Sequence, residues 1–102
     1  MHMERKRFFV RLFKALSNEA RLDLMMQLES GEKNVSELVR SLRQKQSSVS
    51  HNLHQLIEAG LVRSRHQGAF RYYSLDAHVG VPVVQGMQSY VQPSLKAPHT
   101  RA

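Results

Sequence analysis

The stretch Gln46-Ser47-Ser48-Val49-Ser50-His51-Asn52-Leu53-His54-Gln55-Leu56-Ile57-Glu58-Ala59-Gly60 decides how the rest of the chain is read. Val49, Leu53, Leu56 and Ile57 recur at i, i+4, i+7 and i+8, the spacing of one helix face, so a helix is expected over 46–59 with Gly60 as its stop. At about 100° per residue, the side away from Val49 carries Ser47, His51, His54, Gln55 and Glu58, with Ser48 flanking them. Gln46 and Ser50 lie nearer the edges of the apolar stripe. One side of this helix is made for a core and the other for hydrogen bonding.

Upstream, Asn34-Val35-Ser36-Glu37 has the shape of a capping box with Asn as its first member, and Val35, Leu38, Val39 and Leu42 continue a helical face. Arg43-Gln44-Lys45 then breaks the pattern for three residues before the helix at Gln46. Further upstream a helix is expected over 19–30, between the Ser17-Asn18 cap and Gly31. Another spans 4–16, where Phe8, Phe9, Leu12, Phe13 and Leu16 line one face, as core or as a partner surface. Downstream, Leu61–His66 and Ala69–Leu75 are rich in strand formers and are separated by Gln67-Gly68, a hairpin signal. Val83, Val84, Met87, Tyr90 and Val91 trace a last short helix with Pro82 in its first turn. This divides the chain into one domain, 1–92, and a flexible tail, 93–102.

Two short helices joined by a tight turn and followed by a hairpin outline a winged helix-turn-helix: mainly α with a small β-hairpin, in the order ααααββα. In that motif the second helix enters the major groove of DNA. Gln46, Ser47, Ser48, Ser50, His51 and His54 are therefore the candidate base readers, since Gln suits adenine and Ser can reach several base edges. Arg63, Arg65 and Arg71, with His66 near the tip, form a basic finger that can grip phosphate or reach a minor groove.

Charge supports a polyanionic partner. The 102 residues carry a formal net charge of +7, and its distribution matters more than its total. Residues 1–14 carry +4, residues 15–39 carry −3, and residues 40–75, which hold the two candidate DNA-contacting elements, carry +5. The chain has no cysteine, which excludes disulfides and thiolate metal sites. No apolar run approaches the roughly 18 residues of a membrane span, and the N-terminus lacks a secretory signal, so a cytoplasmic protein is expected. No phosphate-cradling glycine loop, nucleophile elbow or paired carboxylate is present, so no enzyme and no cofactor is expected. A winged helix used for protein or RNA contact is the alternative reading.

The run FKALSNEARLDLMMQLESGEKNVSELV…QSSVSHNLHQLIEAGLVRSRHQGAFRYYSL resembles the ArsR/SmtB family of metal- and stress-responsive repressors over about residues 8–79. Its most specific stretches are Gln46–Leu53, Ala59-Gly60-Leu61-Val62 and Tyr72-Tyr73-Ser74-Leu75. The resemblance implies a homodimer formed by the first and last helices, an inverted-repeat operator in double-stranded DNA, and repression by occluding a promoter. By matching position it also implies base reading by Gln46, Ser47, Ser50 and His51. The dimer residues would be Phe8, Phe9, Leu12, Phe13, Val83, Val84, Met87, Tyr90 and Val91.

The departures from the family pattern are informative. Where some members carry Cys-x-Cys at the start of the third helix, this chain has Asn34 and Ser36. Asp76-Ala77-His78 matches half of another family metal site, but Ser89 and Gln92 stand where its other ligands would be, and zinc wants about four donors. No metal is therefore expected, with Asp76 and His78 the weak candidates. Just before Gln46, where a capping Ser is usual, stands Lys45. A cation at a helix start is unfavourable unless phosphate relieves it, so Lys45 and Arg43 are expected to contact the DNA backbone. No complete effector site is visible. A constitutive repressor, an apolar ligand between the terminal helices and a His-based response are all open.

Overall fold

The computed structural model describes residues 3–96, and of these the side chains of 92–96 are not described. Five helices and three short strands follow in the order α1 (Met3–Leu16), α2 (Glu19–Glu29), β1 (Lys33–Asn34), α3 (Val35–Leu42), α4 (Gln46–Glu58), β2 (Val62–Gln67), β3 (Phe70–Leu75) and α5 (Gly80–Lys96). This is a winged helix-turn-helix. It adds to the expected order one strand, β1, whose two residues are too few to leave a periodic signal.

Local chemistry explains most of the boundaries. The Asn34–Glu37 capping box is complete: the Glu37 amide donates to Asn34 Oδ1 and the Asn34 amide to Glu37 Oε1, each at 2.9 Å. Asn18 caps α2 by accepting from the Arg21 amide at 3.0 Å. Helix α4 closes in a Schellman motif, in which the Gly60 amide donates to the Ile57 carbonyl and the Leu61 amide to that of Leu56. Gly60 takes φ +79°, which L side chains resist. Leu56 and Leu61, both fully buried, make the apolar contact that accompanies such a cap.

The sheet is antiparallel, ordered β1-β3-β2, with Lys33 opposite Tyr73 on one edge and Val62 opposite Leu75 at the base of the hairpin. Gln67 pairs with Phe70, so the turn residues are Gly68 and Ala69, one position later than the Gln67-Gly68 expected. The core lies where α2, α3 and α4 meet the hairpin base, around Leu24, Met25, Leu38, Val49, Leu53 and Leu56. Burying each such side chain contributes about 1.5–3 kcal/mol, which anchors the inner face of α4 and fixes which side it shows to solvent.

Helix α5 is longer than the sequence pattern indicated. It begins at Gly80, before Pro82, and runs through Pro93 to Lys96, four residues into the segment expected as a tail. Residues 97–102 lie outside the described residues. Among the described residues no helix is long and apolar enough to cross a membrane.

Candidate nucleic-acid interface

The inner face of α4 is sealed, with Val49, Leu53 and Leu56 at most 1% exposed. The candidate base readers Gln46, Ser47, Ser48, Ser50, His51 and His54 are all exposed. Five of the six fall in the first two turns. His54 lies further along and is engaged on its own helix, with Nε2 3.3 Å from Glu58 Oε2.

The turn before α4 breaks three local rules in succession. Arg43 closes α3 in the left-handed region at φ +55°, a conformation that costs a non-glycine residue about 1–2 kcal/mol. The Gln44 side-chain oxygen is buried without a hydrogen-bond partner among the described residues. Lys45 occupies the N-cap of α4 and makes no side-chain cap, so the first amides of α4 receive nothing from it. Glycine at 43 and serine at 45 would fold better. Natural chains break such rules mainly at functional sites, and here the two exposed residues of the turn are both cations.

The wing differs from the single basic finger expected. Cross-strand register puts Arg63 opposite Ser74 and Arg65 opposite Tyr72 on one face, and Ser64 opposite Tyr73 and His66 opposite Arg71 on the other. Arg71 sits beside His66 and donates to Ser64 Oγ at 3.0 Å. Arg65 reaches back to the loop between α2 and β1, donating to both carboxylate oxygens of Glu32, with Nε–Oε2 3.0 Å. It also donates to Gln67 Oε1 at 2.7 Å and lies over the Tyr72 ring, 5.2 Å from its centre. The hydrogen bond from Arg65 holds the Glu32 carboxyl below its ordinary value, and the same bond pushes the guanidinium up. Arg63 approaches Asp76 at 3.8 Å. Two of the three wing arginines therefore face acids from outside the hairpin, which its own residues could not reveal.

Asp76 has structural work of its own. Its Oδ1 accepts from the His78 and Val79 amides at 2.9 Å each, capping the turn that leads into α5, while Oδ2 faces Arg63. His78 is exposed, and no group of three or more His, Cys, Asp or Glu side chains among the described residues could hold a metal.

The apolar residues expected at a dimer surface divide into three sets. Leu12 and Val84 are buried within the single chain and belong to its core, so they correct that expectation. Val83 and Met87 pack partly against the core. Phe8, Phe9, Phe13, Tyr90 and Val91 are 37–79% exposed. Leu22 and Met26 of α2 join Met87, Tyr90 and Val91 of α5 around an apolar groove.

Sequence reading missed Arg21 and Asn52, which join three helices. Arg21 Nη1 donates to Asn52 Oδ1 at 3.2 Å, and Asn52 is the one polar residue buried among the described residues. The sequence carried a faint signal, since Asn52 stands directly beside Leu53 on the inner side of α4.

Residues 18–64 match the model of the arsR family of bacterial regulatory proteins. The chain is 32% identical over 72 residues, 70% of its length and 81% of the relative's, to an uncharacterised HTH-type transcriptional regulator, MJ1325, of Methanocaldococcus jannaschii. It is 26% identical over 80 residues, 78% of its length and 89% of the relative's, to the transcriptional repressor SdpR of Bacillus subtilis. It superposes on the homodimeric winged helix-turn-helix DNA-binding domain of Mb0332 from Mycobacterium bovis with a TM-score of 0.87 and 25% identity, covering 97% of this chain and 92% of that one. Its exposed polar α4 face, its wing and these likenesses agree: the chain belongs to the arsR family of helix-turn-helix transcriptional regulators.

Proposed function

We propose that this protein is a dimeric repressor that reads an inverted-repeat operator in double-stranded DNA. Gln46, Ser47, Ser48, Ser50 and His51 contact base edges, and His54 lies at the far end of the same face. Arg43 and Lys45 hold the backbone at the groove edge, and Arg71 and His66 hold it from the wing. Arg63 and Arg65 join them only by giving up Asp76 and Glu32. The observation that carries this reading is the exposed hydrogen-bonding face on the first two turns of α4, entered through a turn that gives up a glycine and a cap for two cations.

Dimerisation rests on the exposed Phe8, Phe9 and Phe13 of α1 and Tyr90 and Val91 of α5, an apolar surface that a lone soluble chain rarely leaves uncovered. A twofold pair brings two α4 helices to successive major grooves, about 34–36 Å apart.

Titrating the purified protein against the DNA upstream of its own gene, over a salt series, tests this. Binding should fall steeply with salt and exceed binding to scrambled DNA by about a thousandfold or more. Equal affinity for both DNAs would overturn operator recognition and favour a module for protein or RNA contact.

A further inference from the structure

The last turn of α1 contains no glycine, yet its carbonyls are satisfied. The Ser17 amide donates to Phe13 O at 2.9 Å, and the Asn18 amide to Leu16 O at 2.8 Å. The Arg21 side chain takes the two between, with Nε to Ala15 O at 2.6 Å and Nη2 to Lys14 O at 3.3 Å. The remaining nitrogen, Nη1, points to Asn52 Oδ1. A guanidinium is planar and rigid, so this one group fixes the end of α1 relative to the middle of α4.

Asn52 is an expensive residue for its position. Asparagine is a poor helix former, and this one is only 8% exposed, with the core residues Val49, Leu53 and Leu56 beside it on α4 and a polar cleft lined by Asp23, Lys45 and Ser48 on its other side. An apolar residue would fill the same space without needing a partner. A part-buried polar pair at the edge of an apolar interface serves as a register device, because only one arrangement satisfies both groups. Apolar packing alone lets two helices slide or rotate with little change in buried area.

We propose that the Arg21–Asn52 pair sets the angle of the recognition helix to α1 and thereby selects the spacing between operator half-sites. The inference rests on the dimeric reading above, in which α1 joins the two copies. At 1.5 Å rise per residue the 13-residue α4 is about 20 Å long with Asn52 at its middle, so a 10° rotation about that point displaces each end by about 1.7 Å, and opposite shifts in the two copies of a dimer add to about 3.4 Å, the rise of one base pair. Asn52 is a positioning residue: its buried side chain acts on DNA only through the helix that carries it.

The test compares wild type with Asn52→Leu, which conserves volume but removes the acceptor, and Asn52→Asp, which keeps an acceptor for Arg21. Each is assayed for mass by sedimentation, for affinity to a single half-site, and for affinity to operators with half-sites moved by one or two base pairs. Wild type and Asn52→Asp should prefer the natural spacing by about tenfold. Asn52→Leu should stay dimeric and hold its half-site affinity within about twofold, while its spacing preference falls below about threefold. If Asn52→Leu fails to fold, Arg21→Lys serves instead, because a single ammonium cannot span two carbonyls and Asn52; it should show the same relaxed spacing.

A dimeric Asn52→Leu that keeps the full spacing preference, or that loses half-site affinity in equal measure, overturns the proposal alone. A monomeric wild type overturns the dimeric reading and this proposal together.

Discussion

Gly80 sits so close to the backbone of Leu61 that a Cβ on it would lie 2.1 Å from the Leu61 carbonyl oxygen. That oxygen already accepts the Asp76 amide at 2.9 Å, and the Asp76 carbonyl in turn accepts the Val81 amide at 2.9 Å, so main chain alone ties the first turn of α5 to the residue that precedes β2. Backbone cannot move aside as a flexible side chain can. Gly80→Ala should therefore destabilise the fold by about 1–3 kcal/mol or more, seen as a lowered Tm. An unchanged Tm would show that Gly80 and Leu61 are not in tight backbone contact.

Lys45 should separate stability from binding. Lys45→Ser restores a cap and should stabilise the fold by about 0.5–1 kcal/mol, while weakening binding to all DNA sequences alike and lowering the salt slope by about one unit. A variant that gains stability with an unaltered slope removes Lys45 from the interface.

Arg43 makes the same argument from the backbone. Arg43→Gly relieves a left-handed residue at φ +55° and should raise stability by up to about 1 kcal/mol. It should also cost one phosphate contact, read again as a shallower salt dependence.

The two faces of the wing should behave differently. Arg71→Gln should reduce the salt slope more than Arg65→Gln, because Arg65 already has a carboxylate partner in Glu32. Glu32→Gln should release Arg65 and steepen the slope by about one unit. The pH sign follows from Glu32, whose pKa in the folded protein is depressed: the tie is complete above its ordinary unfolded value and is lost as pH falls through the lowered one. Nuclear magnetic resonance of Glu32 and the Tyr72 ring across acid pH would show it. A Glu32 carboxyl titrating at its ordinary value would remove the tie.

Substituting Phe9 and Phe13 by Glu should yield a folded monomer, since both side chains are exposed in the single chain, whereas Leu12→Glu should unfold it. Sedimentation and circular dichroism distinguish these outcomes.

The helices around residue 46 were legible because their signals are local. Periodicity, the Asn34–Glu37 box and the Gly60 stop each act within a turn or two of chain, and every one appears in the structure where the pattern put it. The hairpin was legible for the same reason. β1 leaves no signal because two residues carry no period, and the expected last helix is shorter than α5 because its apolar face runs only from Val83 to Val91 and Pro93 follows it. Only the approach to Leu61 shows why position 80 is glycine.

By itself the sequence determined the element order, the polar outer face of α4 and the basic character of turn and wing, since these depend on neighbours along the chain. Tertiary structure alone decided that Glu32 holds Arg65 across 33 positions, that Arg21 meets Asn52 across 31, and that Leu12 is core while Phe13 is surface. Those outcomes arise where distant segments cross, and no local period or cap encodes which side chains will meet there.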